Sequence, residues 1–240
     1  MRKLLNYIGF ALVTLLSLLP FWLLYAISDL LFVLVFHVVK YRRKVVWKNL
    51  SNSFPQKEHK QLDRIMRNYF HHFCDLLVES FKLKTMSEKQ LRKRMVVKNP
   101  EFVDHYFDQG KSVLALTMHY NNWEWNAILP KLLKHKLLFV YNPARNLTWD
   151  AFINGMRKRF GAELVSTKKI VKTLLNYRNK NIPTFTWLSA DQRPKANTRF
   201  WTTFLNQDTG FFPGPEALAR HTNQVVLYQH LKKVKRGHYE

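Results

Sequence analysis

The stretch Ser112–Trp125, SVLALTMHYNNWEW, decides how the rest of the chain reads. Val113 to Leu116 is an apolar run preceded by Asp-Gln-Gly-Lys at 108–111, the length and content of a buried strand. Asn121 and Asn122 follow, a residue type that caps helices. Trp123 to Leu129 then predicts a helix with Trp125, Ile128 and Leu129 packed inward, ended or kinked by Pro130. A histidine therefore stands at a strand's end and a carboxylate in the first turn of the next helix. On one continuous helix, residues five apart point about 140° away from each other, so His119 and Glu124 meet only if His119 lies in the loop. There Glu124 would fix the imidazole tautomer and raise the basicity of the other ring nitrogen. Such a histidine can take a proton from a hydroxyl as it attacks a carbonyl. The zinc-helix pattern, two histidines four apart with a Glu beside the first, is absent. A plain capped strand–helix junction with an incidental His and Glu fits the same residues.

Toward the N-terminus, residues 4–39 are almost continuously apolar, with Asp29 the one formal charge among them. About 20 residues span a bilayer's hydrocarbon core. The run predicts a membrane helix from Leu4 to Ala26, bent near Pro20 and broken at Ser28-Asp29, with Leu30–Val39 in the interface. Arg2-Lys3 and Lys40–Lys44 bracket the run with cations, and the larger cluster places everything after it on the cytoplasmic side. A long buried helix of a soluble core is the competing reading. Residues 41–95 read as helices, one of them long and amphipathic from Leu62 to Phe81. His71 and His72 fall on it as surface or packing groups, and Cys74 as a buried thiol.

From Asn99 onward, strands alternate with helices: helices over 100–109, 122–129, 147–160, 168–177 and 215–221, and strands over 112–118, 136–141, 163–166, 183–189, 200–205 and 224–234. This predicts an α/β fold, a mixed sheet flanked by helices. Functional groups gather at strand ends in such folds, and His119, Asn142 and Asp191 all follow strands. Arg236-Gly237 reads as a turn and His238–Glu240 as the start of a further strand, which suggests a fragment of a longer chain.

The formal charge of +23 over 240 residues calls for a polyanionic partner, nucleic acid or anionic lipid. The apolar N-terminus favours lipid, and no zinc-finger spacing or RNA-binding aromatic motif supports a nucleic-acid partner. With a single cysteine, an internal disulfide and any multi-cysteine metal site are excluded.

Several motifs in order resemble the bacterial lipid A biosynthesis (lauroyl/myristoyl) acyltransferases, within the larger lysophospholipid acyltransferase group. They are His119-Tyr-Asn-Asn-Trp-Glu124 after an apolar strand; Val140-Tyr-Asn-Pro143 with Asn146 and Asp150; Asp191-Gln192; and Phe204-Leu-Asn206 through Thr209 to Gly214–Arg220. Asn142 replaces the family's basic residue in the second block, and Arg145 is the nearest cation. The resemblance divides the chain into a membrane anchor (1–40), a helical region (41–98) and an acyltransferase-like core (99–240) that is C-terminally truncated.

By resemblance, the reaction is transfer of a fatty acyl group from acyl carrier protein to a hydroxyl of a lipid A precursor, a step of lipopolysaccharide assembly at the inner membrane. The thioester is already activated, so no metal or other cofactor is implied. His119 would be the general base and Glu124 its orienting partner. Asn121, Asn142 or Arg145 would stabilise the oxyanion, Asp191 and Gln192 would bind the headgroup or shape the site, and Asn121 and Asn122 serve equally well as caps. Clusters at Arg157–Arg159, Lys168-Lys169 and Lys232–Arg236 would draw in an anionic glycolipid and the acidic carrier. An acyltransferase with another lipid acceptor, or a non-catalytic basic protein binding anionic lipid at the membrane, stands as the alternative.

Overall fold

The computed structural model describes residues 2–192, 194 and 198–240. In chain order it has helices α1 (Arg2–Leu18), α2 (Phe21–Phe32, continued by a π-helical segment Val33–Val38), α3 (Arg43–Ser53), α4 (His59–Lys82), α5 (Glu88–Arg94) and α6 (Pro100–Asp108). Strand β1 (Val113–Thr117) leads into a 3-10 helix (Trp123–Lys131), followed by β2 (Lys136–Tyr141), α7 (Leu147–Arg157), β3 (Glu163–Ser166), α8 (Ile170–Asn179) and β4 (Thr184–Ser189). The chain continues through β5 (Phe200–Phe204), β6 (Gln207–Phe211), α9 (Gly214–Thr222), β7 (Val225–Tyr228), β8 (Lys233–Lys235) and β9 (His238–Tyr239).

A strand without a polar face must be covered on both sides. Side chains alternate along a strand, so Val113, Ala115, Leu137, Phe139, Phe185 and Trp187 fill one core layer, and Leu114 and Leu138 the other with Leu174 and Leu218. The central sheet has the order β3-β2-β4-β1-β7. The expected α/β fold is present, and every pairing in this sheet is parallel. Antiparallel pairing, which the expectation placed in a mixed sheet, is confined to two separate ribbons, β5–β6 and β8–β9.

The segment 224–234 is not one strand. Pairing stops at Tyr228, Leu231 turns inward, and β8 forms a hairpin with β9 through the left-handed Gly237. Lys232 and Glu240 close that hairpin with reciprocal backbone bonds of 2.7 and 2.9 Å.

The N-terminal helices depart from expectation. The side chains of Arg2 and Lys3, the first basic flank, lie outside the described residues. The break falls at Leu19-Pro20, and helix runs straight through Ser28-Asp29 to Val38. These two polar residues end nothing because partners await them. Ser28 donates to buried Asp75 at 2.8 Å, and Arg236 forks between Asp75 (2.6 Å) and Asp29 (2.5 Å). Asp29, His71 and Asp75 are close enough to share one ion, but Arg236 already supplies the cation there. The end of α1 is capped by α4: Lys82 donates to the carbonyls of Ser17 and Leu19, both at 2.8 Å. Gly9 lets α1 approach α7, since a Cβ there would fall 2.8 Å from the Trp149 ring. Phe10 stacks on Phe152 at 4.5 Å.

The outward sides of these helices are apolar and exposed, including Leu4, Leu5, Ile8, Leu12, Leu15, Trp22, Leu30 and Val38. Phe21–Val38 is long and apolar enough to cross a membrane, by length and composition.

Candidate active site

The strand register builds the site. In adjacent parallel strands, Thr117 of β1 faces Ser189 of β4, and the amide of Ala190 bonds the Thr117 carbonyl at 3.0 Å. Two residues beyond that pair, at the carboxyl ends of both strands, stand His119 and Asp191. They meet at 2.8 Å, His119 Nδ1 to Asp191 Oδ1, while Asp191 Oδ2 accepts the backbone N–H of His119, also at 2.8 Å. A carboxylate only accepts, so Nδ1 carries the proton and Nε2 presents its lone pair. Gln192 lies 3.3 Å from Nε2. The Trp123 ring stands edge-on to the imidazole at 5.1 Å.

Glu124 does not make the expected bond to His119. Both its oxygens are held by Arg157 from the last turn of α7, at 2.8 and 2.5 Å. The Arg157 and Glu124 side chains are 26 and 13% exposed. Burial opposes the Arg157 charge, but the Glu124 bonds and charge outweigh it and raise the guanidinium's pKa. Arg157 Nη1 has no partner among the described residues. Arg157, expected within a run of surface cations, lines a cavity instead. Of the other cations in the three clusters, Arg159 donates to the carbonyl of Met86 at 3.1 Å and Lys233 and Arg236 turn in toward Asp75, while Lys158, Lys168, Lys169, Lys232 and Lys235 are exposed.

His119, Glu124, Arg157, Asn142, Thr167 and Gln192 line one cavity of about 220 Å³, with Trp123, Phe139, Val140, Leu164, Trp187 and Leu188 as apolar wall. Asn142 comes from the end of β2 and accepts a 2.6 Å bond from the Thr167 hydroxyl at the end of β3. Arg145 is exposed and lies outside the lining. Asn126, absent from the expectation, lines the cavity and accepts from Gln229 at 2.8 Å, which in turn accepts from Trp187 Nε1 at 2.8 Å.

Asn121 and Asn122 do not face the cavity. Asn121 is buried at a left-handed φ of 55°, a conformation Asn tolerates. Its amide donates to the Leu231 carbonyl at 2.7 Å, and its oxygen bonds His72 Nε2 at 2.9 Å. Asn122 is buried and donates to Glu79 at 2.8 Å. Glu79, fully buried on α4, also accepts from Tyr25 (2.9 Å) and Tyr239 (2.7 Å), and its carbonyl accepts from Trp125 at 3.1 Å. Burial holds the Glu79 carboxyl above its ordinary range, against the pull of these three donors. The asparagines therefore fasten the turn between His119 and Glu124 to α4, and the 3-10 helix after them runs past Pro130 to Lys131.

A family model for the bacterial lipid A biosynthesis acyltransferases matches residues 1–240. The chain belongs to that family. It is accordingly an acyltransferase. Over 221 residues it is 21% identical to a lipid A biosynthesis acyltransferase of Haemophilus influenzae, covering 92% of this chain and 69% of that protein. Over 131 residues it is 24% identical to lipid A biosynthesis acyltransferase 2 of Shigella flexneri, covering 53% of this chain and 40% of that protein.

Proposed function

We propose that the chain transfers a fatty acyl group from an acyl carrier protein thioester to a hydroxyl of a lipid A precursor, at the cytoplasmic face of the inner membrane. The observation that carries this reading is the His119–Asp191 pair opening onto a half-apolar cavity, with Nδ1 tied to the carboxylate at 2.8 Å. His119 Nε2 takes the proton of the acceptor hydroxyl as its oxygen attacks the thioester carbon. The tetrahedral oxyanion collapses, the C–S bond breaks, and the departing thiolate takes the proton back from the imidazolium. Proton transfer of this kind contributes on the order of 10²–10⁴ in rate.

Asp191, rather than Glu124, orients His119 in this mechanism. Glu124 instead holds the Arg157 fork so that Nη1 points its charge at the developing oxyanion. Gln192 and Asn142 contact the acceptor. Lys168 and Lys169 are exposed immediately after Thr167, at the cavity's rim, and attract the phosphates of the glycolipid and the acidic carrier. The thioester brings its own activation, so the reaction uses no cofactor. The exposed apolar faces of α1 and α2 support seating in the bilayer.

The test is acyl transfer by the purified chain with acyl carrier protein thioesters and lipid A precursor. His119→Ala should lose at least about a hundredfold in kcat. Retained turnover in that variant would remove His119 as the base.

A further inference from the structure

Every residue of β5 in the β5–β6 hairpin is exposed. Its register sorts its side chains. Phe200 faces Phe211, Thr202 faces Thr209 and Phe204 faces Gln207, so three phenylalanines share one side of the ribbon. The rings of Phe204 and Phe211 touch edge-to-face at 6.1 Å. The opposite side carries Trp201, Thr203, Asp208 and Gly210, and Trp201 is bonded back to the Thr198 carbonyl at 2.9 Å. Phe200, Phe204 and Phe211 remain 56, 54 and 43% exposed, three apolar rings on one side against the single exposed ring of Trp201 on the other. A lone two-stranded ribbon is marginally stable in water, and contiguous exposed apolar patches mark interaction surfaces.

The hairpin is tied to α3. Asn52 bonds Gln207 at 3.1 Å, and Asn206 donates to the Ser53 carbonyl at 3.3 Å, both at the end of α3. The helix α3 has no buried residue and begins just after the apolar run ending at Val38. Lys40 and Arg42 lie between them and Arg43 and Lys44 open α3, none with an acidic partner among the described residues. Aromatics beside cations is the composition of the bilayer–water boundary.

We infer that the Phe200/Phe204/Phe211 face of the hairpin inserts into the lipid headgroup layer as a second membrane contact, separate from the N-terminal helices. This rests on the membrane seating proposed above.

Nitroxide labels at Thr202→Cys, Thr203→Cys and Leu30→Cys test it, each in the full chain reconstituted into phosphatidylethanolamine–phosphatidylglycerol vesicles. The native Cys74 is buried and its thiol pushed up to about 11 by that burial, so it stays unlabelled. Collisional relaxation by oxygen and by a water-soluble nickel complex is then measured. The expected result is an oxygen-to-nickel ratio several-fold higher at 202 than at 203, two faces of one ribbon, and below that at 30. A ratio at 202 no higher than at 203, with 30 still lipid-like, overturns the inference and leaves the membrane seating intact. A nickel-accessible 30 overturns both.

Discussion

Replacing Asp191 by Asn removes one negative charge and almost no volume, yet it should damage the site more than replacing it by Ala. In the native pair one oxygen accepts the His119 backbone N–H and the other accepts Nδ1–H. An amide can satisfy only one of these with its oxygen. If the oxygen stays on the backbone N–H, the NH₂ faces Nδ1, and the ring must move its proton to Nε2, where it can no longer act as a base. The reverse orientation sets two N–H donors against each other, at about 1–3 kcal/mol for the unpaired group. The unproductive tautomer is therefore favoured by roughly 5- to 150-fold. The imidazolium formed during transfer also loses its counter-charge, which brings the total loss in kcat to on the order of 10²–10⁴. Asp191→Ala leaves the ring unanchored but free to hold its proton on either nitrogen, so its loss should be smaller. The assay is initial-rate acyl transfer with wild type, Asp191→Asn and Asp191→Ala, with thermal melts to show that all three fold. If the Asn variant is as active as the Ala variant or more so, or stays within about threefold of wild type against the expected loss, Asp191 does not set the tautomer.

Arg157→Ala leaves Glu124 partly buried without its cation, and should cost about 2–4 kcal/mol, seen as a Tm fall of roughly 5–15 °C; a further Glu124→Leu change should recover part of it. Glu79 carries a pH signature. Its native carboxyl titrates above the unfolded one, so the native state keeps the proton longer. Its contribution is largest below the unfolded value of about 4.3 and is lost as pH rises through the raised native one. Glu79→Gln removes that slope, so the wild-type Tm minus the variant Tm should fall from pH 4 toward neutrality, and a constant or rising value would contradict it. Asn121→Ala loses two buried bonds and strains a left-handed backbone, whereas Asn121→Gly loses only the bonds. Chemical denaturation should find the Ala variant less stable than the Gly variant by about 1 kcal/mol.

The layers of this fold were readable because they obey short periods. Unbroken apolar runs in residues 113–116 and 137–140 predict buried strands, and the His119 position followed from the strand that ends before it. Its partner was not readable in the same way. Asp191 stands 72 residues on, and only the pairing of β1 with β4 brings it alongside, whereas Glu124 is the acid that sequence distance suggests. Arg157 sits in a run of cations that looks the same whether it faces water or a cavity. Ser28 and Asp29 look like a helix break because their partners, Asp75 and Arg236, come from distant parts of the chain. The positive φ at Asn121 had a local signal, two consecutive asparagines in a turn, but the same pair also suits a cap.

One guanidinium near the last residues, that of Arg236, grips the second helix at Asp29, the fourth at Asp75 and the face of Tyr25, 4.4 Å from its ring. Where the apolar helices rest in a bilayer, the domain is then bolted to them instead of hanging from a tether. The reactive slot cannot bob or swivel above the lipid, and its height and heading are fixed by the angle at which the greasy helices lie.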